Sequence, residues 1–334
     1  MGQARLTLLI ERLEPLLAAA SSGERYPALE VLLRRGRPLQ QDFSDPDEVR
    51  FALFGVECRS SLPIGALTHI ADRGSTTAGQ SYWLRVDPVT LWADMARVIM
   101  TQCGFADLDE VERNDIECTV RQVLQQQGFD LHADHPERWT IALQQPLEFS
   151  FVPPHQALGM DAAEALPDHP QALFWRRLLN EVQMALHACP VNQRRRAAGR
   201  EQINSVWFWG GGFMPSVSAS GAYDRVYAHH PVSRGLALLQ QAELFDLSQS
   251  DHADFGREGG RILVDWCLPP TGADAELRHL ERFAQHLLAA VRSDGLALEI
   301  YAGNGRGWQF DRACLRRFWQ RPRPLQAGDA GRPA

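Results

Sequence analysis

The stretch ACPVNQRRRAAGREQINSVWFWGGGFMP, residues 188–215, is the part of the sequence that decides the expected fold. Its apolar run at 203–209 contains Trp207 and Trp209 and predicts a buried strand, because strands covered on both faces are apolar throughout. Three glycines follow at 210–212. Glycine lets the backbone turn tightly, and α/β proteins bind ligands where strands end, so we expect this strand to open onto a cleft.

Arginines precede this strand and make the region a candidate anion site. Guanidinium groups form paired hydrogen bonds with phosphate or carboxylate, and glycine amides can add further donors. The predicted ligand is a phosphorylated or carboxylated small molecule. The predicted anion-binding residues are Asn192, Arg195, Arg196, Asn204, Trp209, Gly210, Gly211 and Gly212. The alternative is that the glycines only turn the chain and the arginines lie in water.

The second half of the chain alternates between helix and strand patterns. Helical periodicity and apolar runs predict helix 171–188, strand 203–209, helix 232–242, strand 261–267, helix 274–292 and strand 297–301. This alternation predicts an α/β fold with a largely parallel sheet flanked by helices. We expect a single α/β domain over residues 1–325, with a candidate subdomain edge at the proline-rich segment 153–170 and a disordered tail at 326–334.

The first half of the chain gives a mixed pattern. The predicted elements are helices at 6–17 and 26–33, strands at 50–58, 64–70 and 81–86, a helix at 107–127 and a strand at 138–144. Residues 89–101 are compatible with a hairpin or with a helix capped by Asp87, and the hairpin is favoured.

Composition excludes several classes of protein. Of 334 residues, 45% are hydrophobic and 22% are charged, which is typical of a globular chain. All 34 basic residues are arginine, which excludes mechanisms that need a lysine amine or a phosphate-binding lysine. The net charge of −7 argues against nucleic acid or an anionic membrane as a partner. No apolar stretch reaches the roughly 18 residues that a membrane span requires.

The cysteines and the carboxyl-terminal region give expectations about location and partners. Six cysteines occur without a Cys-x-x-Cys pair, which predicts reduced thiols and a cytoplasmic protein. Residues 316–323 mix arginines with Phe318 and Trp319, and such a surface is compatible with an acidic partner or with nucleic acid. The alternative is a solvated tail held by its aromatic side chains.

Several motifs carry a resemblance to a known family. They are PVN at 190–192, an arginine at 195 or 196, Gly199, and INSVWFWGGG at 203–212. Together they resemble a segment of the archaeal-type cofactor-independent phosphoglycerate mutases, members of the alkaline phosphatase superfamily. A closer resemblance is to the RpfE-type regulatory proteins of bacteria. It includes PALEVLL at 27–33, YWLRVDPV at 82–89, RW at 138–139 and RFWQRPRPL at 317–325.

The resemblance implies a mechanism that the residues match poorly. The superfamily uses two divalent metals held by Asp and His, with a Ser or Thr nucleophile, because phosphoryl transfer needs charge neutralisation. An Asp-Gly pair is expected after the first strand, but the matching residues 8–13 lack one, and the late strand keeps only Asp265. We therefore expect no metal cofactor, and no catalytic residue is identified. The alternative is a relocated divalent metal site drawn from Asp72, Asp224, His229, His230 and Asp265.

Three functions are compatible with these expectations. The first is a phosphoglycerate mutase-like pseudoenzyme with a degenerate alkaline-phosphatase-like fold and a regulatory or phosphometabolite-binding role. The second is an active metal-dependent phosphomutase or phosphatase with a relocated site. The third is a regulatory protein-interaction module that uses the arginine-rich carboxyl-terminal region. The positions of the acidic and histidine candidates discriminate between the first two.

Overall fold

The computed structural model describes residues 3–20, 24–40, 43, 45–56, 61–75, 79–93, 97–105, 107–218, 221–252, 254–256, 259–268 and 272–330. The chain divides into two compact units. The first unit consists of residues 1–58 and 216–334, and the second unit consists of residues 59–215. The proline-rich segment 153–170 lies inside the second unit, so the subdomain edge expected there coincides with neither boundary. A single domain over 1–325 stays a prediction.

Short strands and helices alternate along the described chain. The strands are β1 (Arg5–Ile10), β2 (Arg37–Gln40), β3 (Tyr82–Ala93), β4 (Val98–Cys103), β5 (Leu131–His132), β6 (Thr140–Leu143), β7 (Ser205–Gly212), β8 (Arg225–Ala228), β9 (Glu243–Phe245), β10 (Arg261–Trp266), β11 (Ala297–Ala302) and β12 (Arg306–Phe310). The α-helices are α1 (Leu13–Ala19), α2 (Pro27–Arg35), α3 (Pro46–Leu53), α4 (Ile64–Arg73), α5 (Glu110–Gln126), α6 (Pro154–Ala157), α7 (Ala162–Ala165), α8 (Ala172–Ala188), α9 (Pro190–Ala197), α10 (Pro231–Gln240), α11 (Ala273–Ser293), α12 (Arg312–Leu315) and α13 (Ala327–Ala330). None of the described helices is both long and apolar enough to cross a membrane.

The first unit is built on a seven-stranded sheet in the order β2-β12-β11-β1-β10-β8-β9. Strand β1 pairs in parallel with β10 and β11, and β8 pairs in parallel with β10 and β9. Strands β12 and β2 continue the sheet in antiparallel orientation. The prediction of an α/β fold with a largely parallel sheet flanked by helices is confirmed.

The central strand β1 lies where the sequence predicts a helix. Its residues RLTLLI are buried after the first, because strands pair with it on both sides and helices cover both faces. A short strand buried in this way is apolar throughout, and such a run is hard to distinguish from a buried helix. The helix predicted over 6–17 is therefore wrong in its first half and begins only at Leu13, whereas the helix predicted at 26–33 is confirmed as α2.

Helices cover both faces of this sheet, and different side chains of β1 point to each face. On one face, Leu8 belongs to a large apolar core with Phe283 of α11. On the other face, Leu9 packs with Val49 of α3. Successive side chains of a strand point to opposite faces, so Asp265, in register with Leu9, lies on the α3 face.

The second unit contains an antiparallel sheet in which β3 is the central strand. Strands β4 and β6 pair with one edge of β3, and β7 pairs with its other edge. The hairpin predicted at 89–101 is confirmed by β3 and β4, and the elements predicted at 107–127 and 138–144 are confirmed as α5 and β6. Helices α5 and α8 supply apolar side chains to the same core as β7.

Two segments predicted as strands are helices. Residues 50–58 overlap α3, which begins with a reciprocal capping box between Asp45 and Glu48. Residues 64–70 form α4, which ends at Gly74 with a φ of 65°. The predicted strand at 64–70 is wrong because this helix is almost completely buried, so no polar face reveals its periodicity.

Part of the predicted carboxyl-terminal tail is ordered. Helix α13 lies within the predicted disordered segment 326–334, and its Asp329 pairs with Arg34 of α2. Residues 331–334 lie outside the described residues.

Candidate functional site

A charged cluster occupies the carboxyl end of the parallel sheet in the first unit. Asp265 lies near the end of β10 and Glu11 directly follows β1, so both acids lie at the edge where α/β folds bind ligands. Arg50 of α3 lies between them. The Arg50 cluster, as we call it, consists of Glu11, Asp47, Arg50, His230, Ser233 and Asp265.

Arg50 is paired with three carboxylates at once. Its Nε and Nη2 donate to the two carboxylate oxygens of Asp265 at 2.9 and 3.2 Å. Nη2 also donates to Oε2 of Glu11 at 2.5 Å, and Nη1 donates to Oδ1 of Asp47 at 3.0 Å. The Arg50 side chain is only 1% exposed, and Asp265 is fully buried. All three guanidinium nitrogens are therefore used within the protein.

Two residues at the start of α10 complete the cluster. Ser233 donates its hydroxyl to Oδ2 of Asp265 at 2.6 Å. The Nδ1 of His230 is buried without a hydrogen-bond partner, and it lies 3.9 Å from Oδ1 of Asp47. Asp265 thus accepts hydrogen bonds from both a guanidinium and a hydroxyl.

The charges of the cluster are fixed by their neighbours. Burial would raise the pKa of Glu11, but the charge of the Arg50 guanidinium and its hydrogen bond lower that pKa to about 2. Burial disfavours the charged form of Arg50, yet Asp265 and Glu11 hold its pKa well above the usual value. Burial, together with the Arg50 charge, lowers the pKa of His230. Three carboxylates therefore face one cation and a neutral imidazole, and the cluster keeps an excess of negative charge.

The predicted relocated metal site is brought together only in part. His230 and Asp265 both belong to the Arg50 cluster. Asp224 lies just before β8, at the amino ends of the parallel strands, and its Oδ2 accepts from the backbone N of Arg261 at 2.7 Å. Asp224 therefore lies at the amino ends of the parallel strands, whereas Asp265 lies near their carboxyl ends.

The other two metal candidates have different partners. The Nδ1 of His229 lies 3.3 Å from Oδ2 of Asp246. Asp72 belongs to the second unit, where the Nε of Arg138 donates to its Oδ2 at 3.2 Å. Among the described residues, the five predicted ligands do not form one site.

The structure buries Arg195 and pairs it with acids of the second unit. Its Nη1 donates to Oε2 of Glu112 at 2.9 Å, Nη2 donates to Oδ2 of Asp107 at 2.9 Å, and Nε donates to the carbonyl of Glu201 at 2.7 Å. A bound anion would compete with two carboxylates at this place. Arg195 ties α9 to the start of α5, and its ligand-binding role stays a prediction. Arg196 is exposed.

The two predicted asparagines hold backbone groups. The Nδ2 of Asn192 donates to the carbonyls of Leu186 and Ile203, and its Oδ1 accepts from the Ile203 amide. The Oδ1 and Nδ2 of Asn204 bond the amide and carbonyl of Leu91 at 2.8 and 2.7 Å. Both N–H groups of Asn192 are therefore used within the second unit, and a role of either asparagine in anion binding stays a prediction.

The three glycines belong to β7 and allow close packing against the start of α4. A Cβ at Gly210 would lie 2.9 Å from the Cβ of Ile64, and one at Gly212 would lie 2.5 Å from the Cβ of Pro63. Gly211 is equally crowded. The strand predicted at 203–209 is buried as expected, but the glycines continue it instead of leaving it, and a cleft at its end stays a prediction.

Trp209 contacts a buried ion pair on β3. Its Nε1 donates to Oδ2 of Asp87 at 2.6 Å, while the Nη2 of Arg85 donates to Oδ1 of Asp87 at 2.7 Å. The Arg85 guanidinium also lies over the Trp209 ring, 5.1 Å from its centre. The indole nitrogen is therefore already used within the second unit.

Comparisons with known proteins give one consistent relationship. No protein-family model matches the chain. A Geobacter sulfurreducens protein described as a probable 2,3-bisphosphoglycerate-independent phosphoglycerate mutase is 23% identical over 202 residues, which are 58% of this chain and 51% of that protein. The 2,3-bisphosphoglycerate-independent phosphoglycerate mutase of Methanosarcina acetivorans is 32% identical over 199 residues, which are 57% of this chain and 49% of the mutase. The chain is homologous to these mutases. It spans about half the length of the curated relatives it matches.

Solved structures are similar over more of the chain. The PH0037 protein from Pyrococcus horikoshii has a TM-score of 0.53 and 14% identity, with 90% of this chain and 82% of that chain covered. The cofactor-independent phosphoglycerate mutase from Thermoplasma acidophilum has a TM-score of 0.48 and 15% identity, with coverage of 93% and 90%. The likeness to the Pyrococcus protein shows a shared fold. The resemblance to RpfE-type regulatory proteins stays a prediction.

The Arg50 cluster does not fit the two divalent metals that the mutase resemblance implies. Metal ions of this kind need carboxylate oxygens and imidazole nitrogens that are free to coordinate. Here the guanidinium of Arg50 bonds both oxygens of Asp265 and one oxygen each of Glu11 and Asp47. A divalent ion bound through both oxygens of Asp265 would have to displace Arg50.

Four members of the cluster are not predicted as site residues from the sequence: Glu11, Asp47, Arg50 and Ser233. Arg50 is part of the segment assigned to a strand, and Ser233 has no distinguishing motif. One signal in the sequence does indicate a helix here. Its start is marked by Asp45, a proline and two acids before the apolar run. A helix that begins at this point places Arg50 on its first turns.

Proposed function

We propose that this protein is a phosphoglycerate mutase homologue that does not catalyse metal-dependent phosphoryl transfer and that has a regulatory binding role. The observation that carries the proposal is the buried guanidinium of Arg50 among three carboxylates at the ligand-binding edge of the sheet. An internal cation stands where the mutase resemblance implies metal ions.

The electrostatics of the cluster argue against phosphoryl transfer. Catalysis of this reaction relies on cations that neutralise charge on the transferring phosphoryl group. The positive charge of Arg50 is already shared among three carboxylates, and the remaining negative charge would repel a phosphate ester. The hydroxyl of Ser233 donates to Asp265, and both oxygens of that carboxylate also accept hydrogen bonds from Arg50.

A mutase assay tests this proposal directly. Purified protein is incubated with 3-phosphoglycerate in the presence of Mn²⁺, Mg²⁺ or a chelator, and 2-phosphoglycerate is measured by a coupled assay. We expect no turnover above the protein-free rate, with an active cofactor-independent mutase as the positive control. Chelator-sensitive conversion would overturn the proposal. A parallel screen of small phosphate esters tests the alternative of a phosphatase.

A second observation favours a binding role. The rings of Phe318 and Trp319 are 74% and 64% exposed, and the neighbouring Arg316, Arg321 and Arg323 are exposed as well. Apolar rings among cations suit an acidic protein segment, because the rings supply apolar contact while the arginines pair with carboxylates.

Titration of a labelled oligoglutamate peptide containing leucines tests this surface. We expect binding to weaken at higher salt and to be lost in the Phe318→Ser/Trp319→Ser variant. Equal binding by that variant would exclude the surface, and preferential binding of an oligonucleotide would contradict the assignment to a protein partner. A phosphorylated or carboxylated small molecule as ligand stays a prediction.

A further inference from the structure

The second unit brings together three side chains with the chemistry of metal ligands. His69 lies on α4, His132 lies at the end of β5, and Asp134 follows two residues later. One ligand atom from each side chain lies within 4.8 Å of the other two. Three residues from two separate segments of the chain thus converge on one point.

His69 is held in a fixed orientation. Its Nδ1 lies 2.9 Å from the Oγ1 of Thr140, and its ring stacks on Trp83 with ring centres 3.5 Å apart. When Nδ1 donates to the hydroxyl, the lone pair of Nε2 is left for another partner. Hydrogen bonds of this kind orient the histidines that bind metals in proteins.

His132 and Asp134 form the more accessible side of the group. The ring centre of His132 lies 5.0 Å from that of His69, His132 is half-buried and Asp134 is exposed. Two ligands about 2.0–2.1 Å from a tetrahedral ion are about 3.4 Å apart, so the three ligand atoms, which lie within 4.8 Å of one another, would have to move closer together to bind one ion. One contact opposes binding, because the Nη1 of Arg73 lies 3.3 Å from the Nδ1 of His132.

We propose that His69, His132 and Asp134 bind one divalent transition-metal ion of the zinc class. Two imidazoles and one carboxylate suit Zn²⁺, Co²⁺ or Ni²⁺, whereas Mg²⁺ and Ca²⁺ take oxygen ligands. Three protein ligands leave a coordination position for water or an incoming anion on the exposed side. This site uses no residue of the Arg50 cluster and does not rest on the proposed function.

Titration of the full chain with Co²⁺ tests the site. Co²⁺ bound by histidine and carboxylate in a site of low coordination number absorbs visible light much more strongly than the aqueous ion does. We expect a band that saturates at one equivalent and disappears when Zn²⁺ displaces Co²⁺. Calorimetry with Zn²⁺ then gives the affinity, and circular dichroism checks that each variant is folded.

Three variants and a matched control separate the ligands from other histidines. His132→Ala and Asp134→Asn should each weaken Zn²⁺ binding about tenfold or more, and neither change removes a fully buried side chain. His187→Ala removes an exposed histidine of the same unit and should leave the affinity and the Co²⁺ band unchanged. Arg73→Gln should tighten binding, because it removes a cation that competes for His132.

The outcomes decide the proposal. Loss of the band and of Zn²⁺ affinity in His132→Ala and Asp134→Asn, with retention in His187→Ala, supports the site. Absence of a band in the wild-type protein, or a band that survives both ligand variants, overturns it. Weaker or unchanged binding by Arg73→Gln would also overturn the assignment of His132 as a ligand. None of these results depends on mutase activity, so failure of this site and failure of the proposed function are distinguishable.

Discussion

Replacing Arg50 by alanine should reveal how far the first unit depends on one buried cation. The variant leaves three carboxylates facing one another, and Asp265 among them is fully buried. Removing one partner of a buried ion pair destabilises a protein by about 3–5 kcal/mol. A domain of roughly 150–250 residues loses about 2–4 °C of melting temperature per kcal/mol, so we expect a decrease of about 6–20 °C.

Divalent cations provide the decisive second measurement on this variant. Without Arg50 the carboxylates of Glu11, Asp47 and Asp265 form an oxygen-rich group, so millimolar Mn²⁺ should restore part of the lost melting temperature of Arg50→Ala. The wild-type protein, whose carboxylates are occupied, should show no comparable gain. The assay is thermal unfolding followed by circular dichroism, with and without a chelator.

The double variant Arg50→Ala/Asp265→Ala is the matched control for this prediction. It removes both the cation and its most buried partner, so its loss of stability should be smaller than the sum of the two single losses. Additive losses, a decrease for Arg50→Ala below about 1 kcal/mol, or equal Mn²⁺ gains in variant and wild type would refute the reasoning.

Three further predictions concern stability. Trp207→Ala should lower the free energy of unfolding, measured in urea, by about 3–5 kcal/mol, because this indole is 1% exposed and donates to a backbone carbonyl at 2.8 Å. A loss below about 1 kcal/mol would contradict its place in the core. Because the pKa of Glu11 is lowered from 4.5 to about 2 in the folded protein, its stabilising contribution is present above pH 4.5 and is lost as the pH falls toward 2. Urea midpoints measured between pH 6 and pH 2 should therefore fall more steeply for the wild type than for Glu11→Gln, and parallel curves would exclude this contribution. Arg195→Ala should lower the free energy of unfolding by about 3–5 kcal/mol, whereas the neighbouring Arg196→Ala should change it by less than about 0.5 kcal/mol. Equal effects of the two variants in chemical denaturation would show that Arg195 is not a buried ion-pair partner.

The second half of the fold could be predicted from the sequence because its elements are long and have a clear period. Helices α8, α10 and α11 and strands β10 and β11 begin and end within a few residues of their predicted positions. The same rules fail for β1 and α4, which are almost completely buried. Burial on all sides removes the polar positions that distinguish a period of 3.6 from a period of 2.

The candidate site was less accessible to sequence reasoning. Asp265 could be recognised because the resemblance to the mutases implies metal ligands on the late strand that contains it. Its partner Arg50 is 215 residues away along the chain, and no local pattern shows which carboxylate a given arginine will meet. Arg195 illustrates the same problem, because its buried partner Glu112 is 83 residues away along the chain.

The place of β1 at the centre of the sheet has a consequence for how the chain is made. Both of its neighbours, β10 and β11, belong to the last part of the sequence, and 250 residues separate Ile10 from Arg261. At translation rates of about 5–20 residues per second, the ribosome needs about 12–50 seconds to supply the first partner strand. During that time an apolar strand lacks both of its partner strands, whereas the second unit consists of one continuous segment that is complete before β10 is made. Until β10 is made, the apolar strand β1 of the nascent chain can therefore bind chaperones or aggregate.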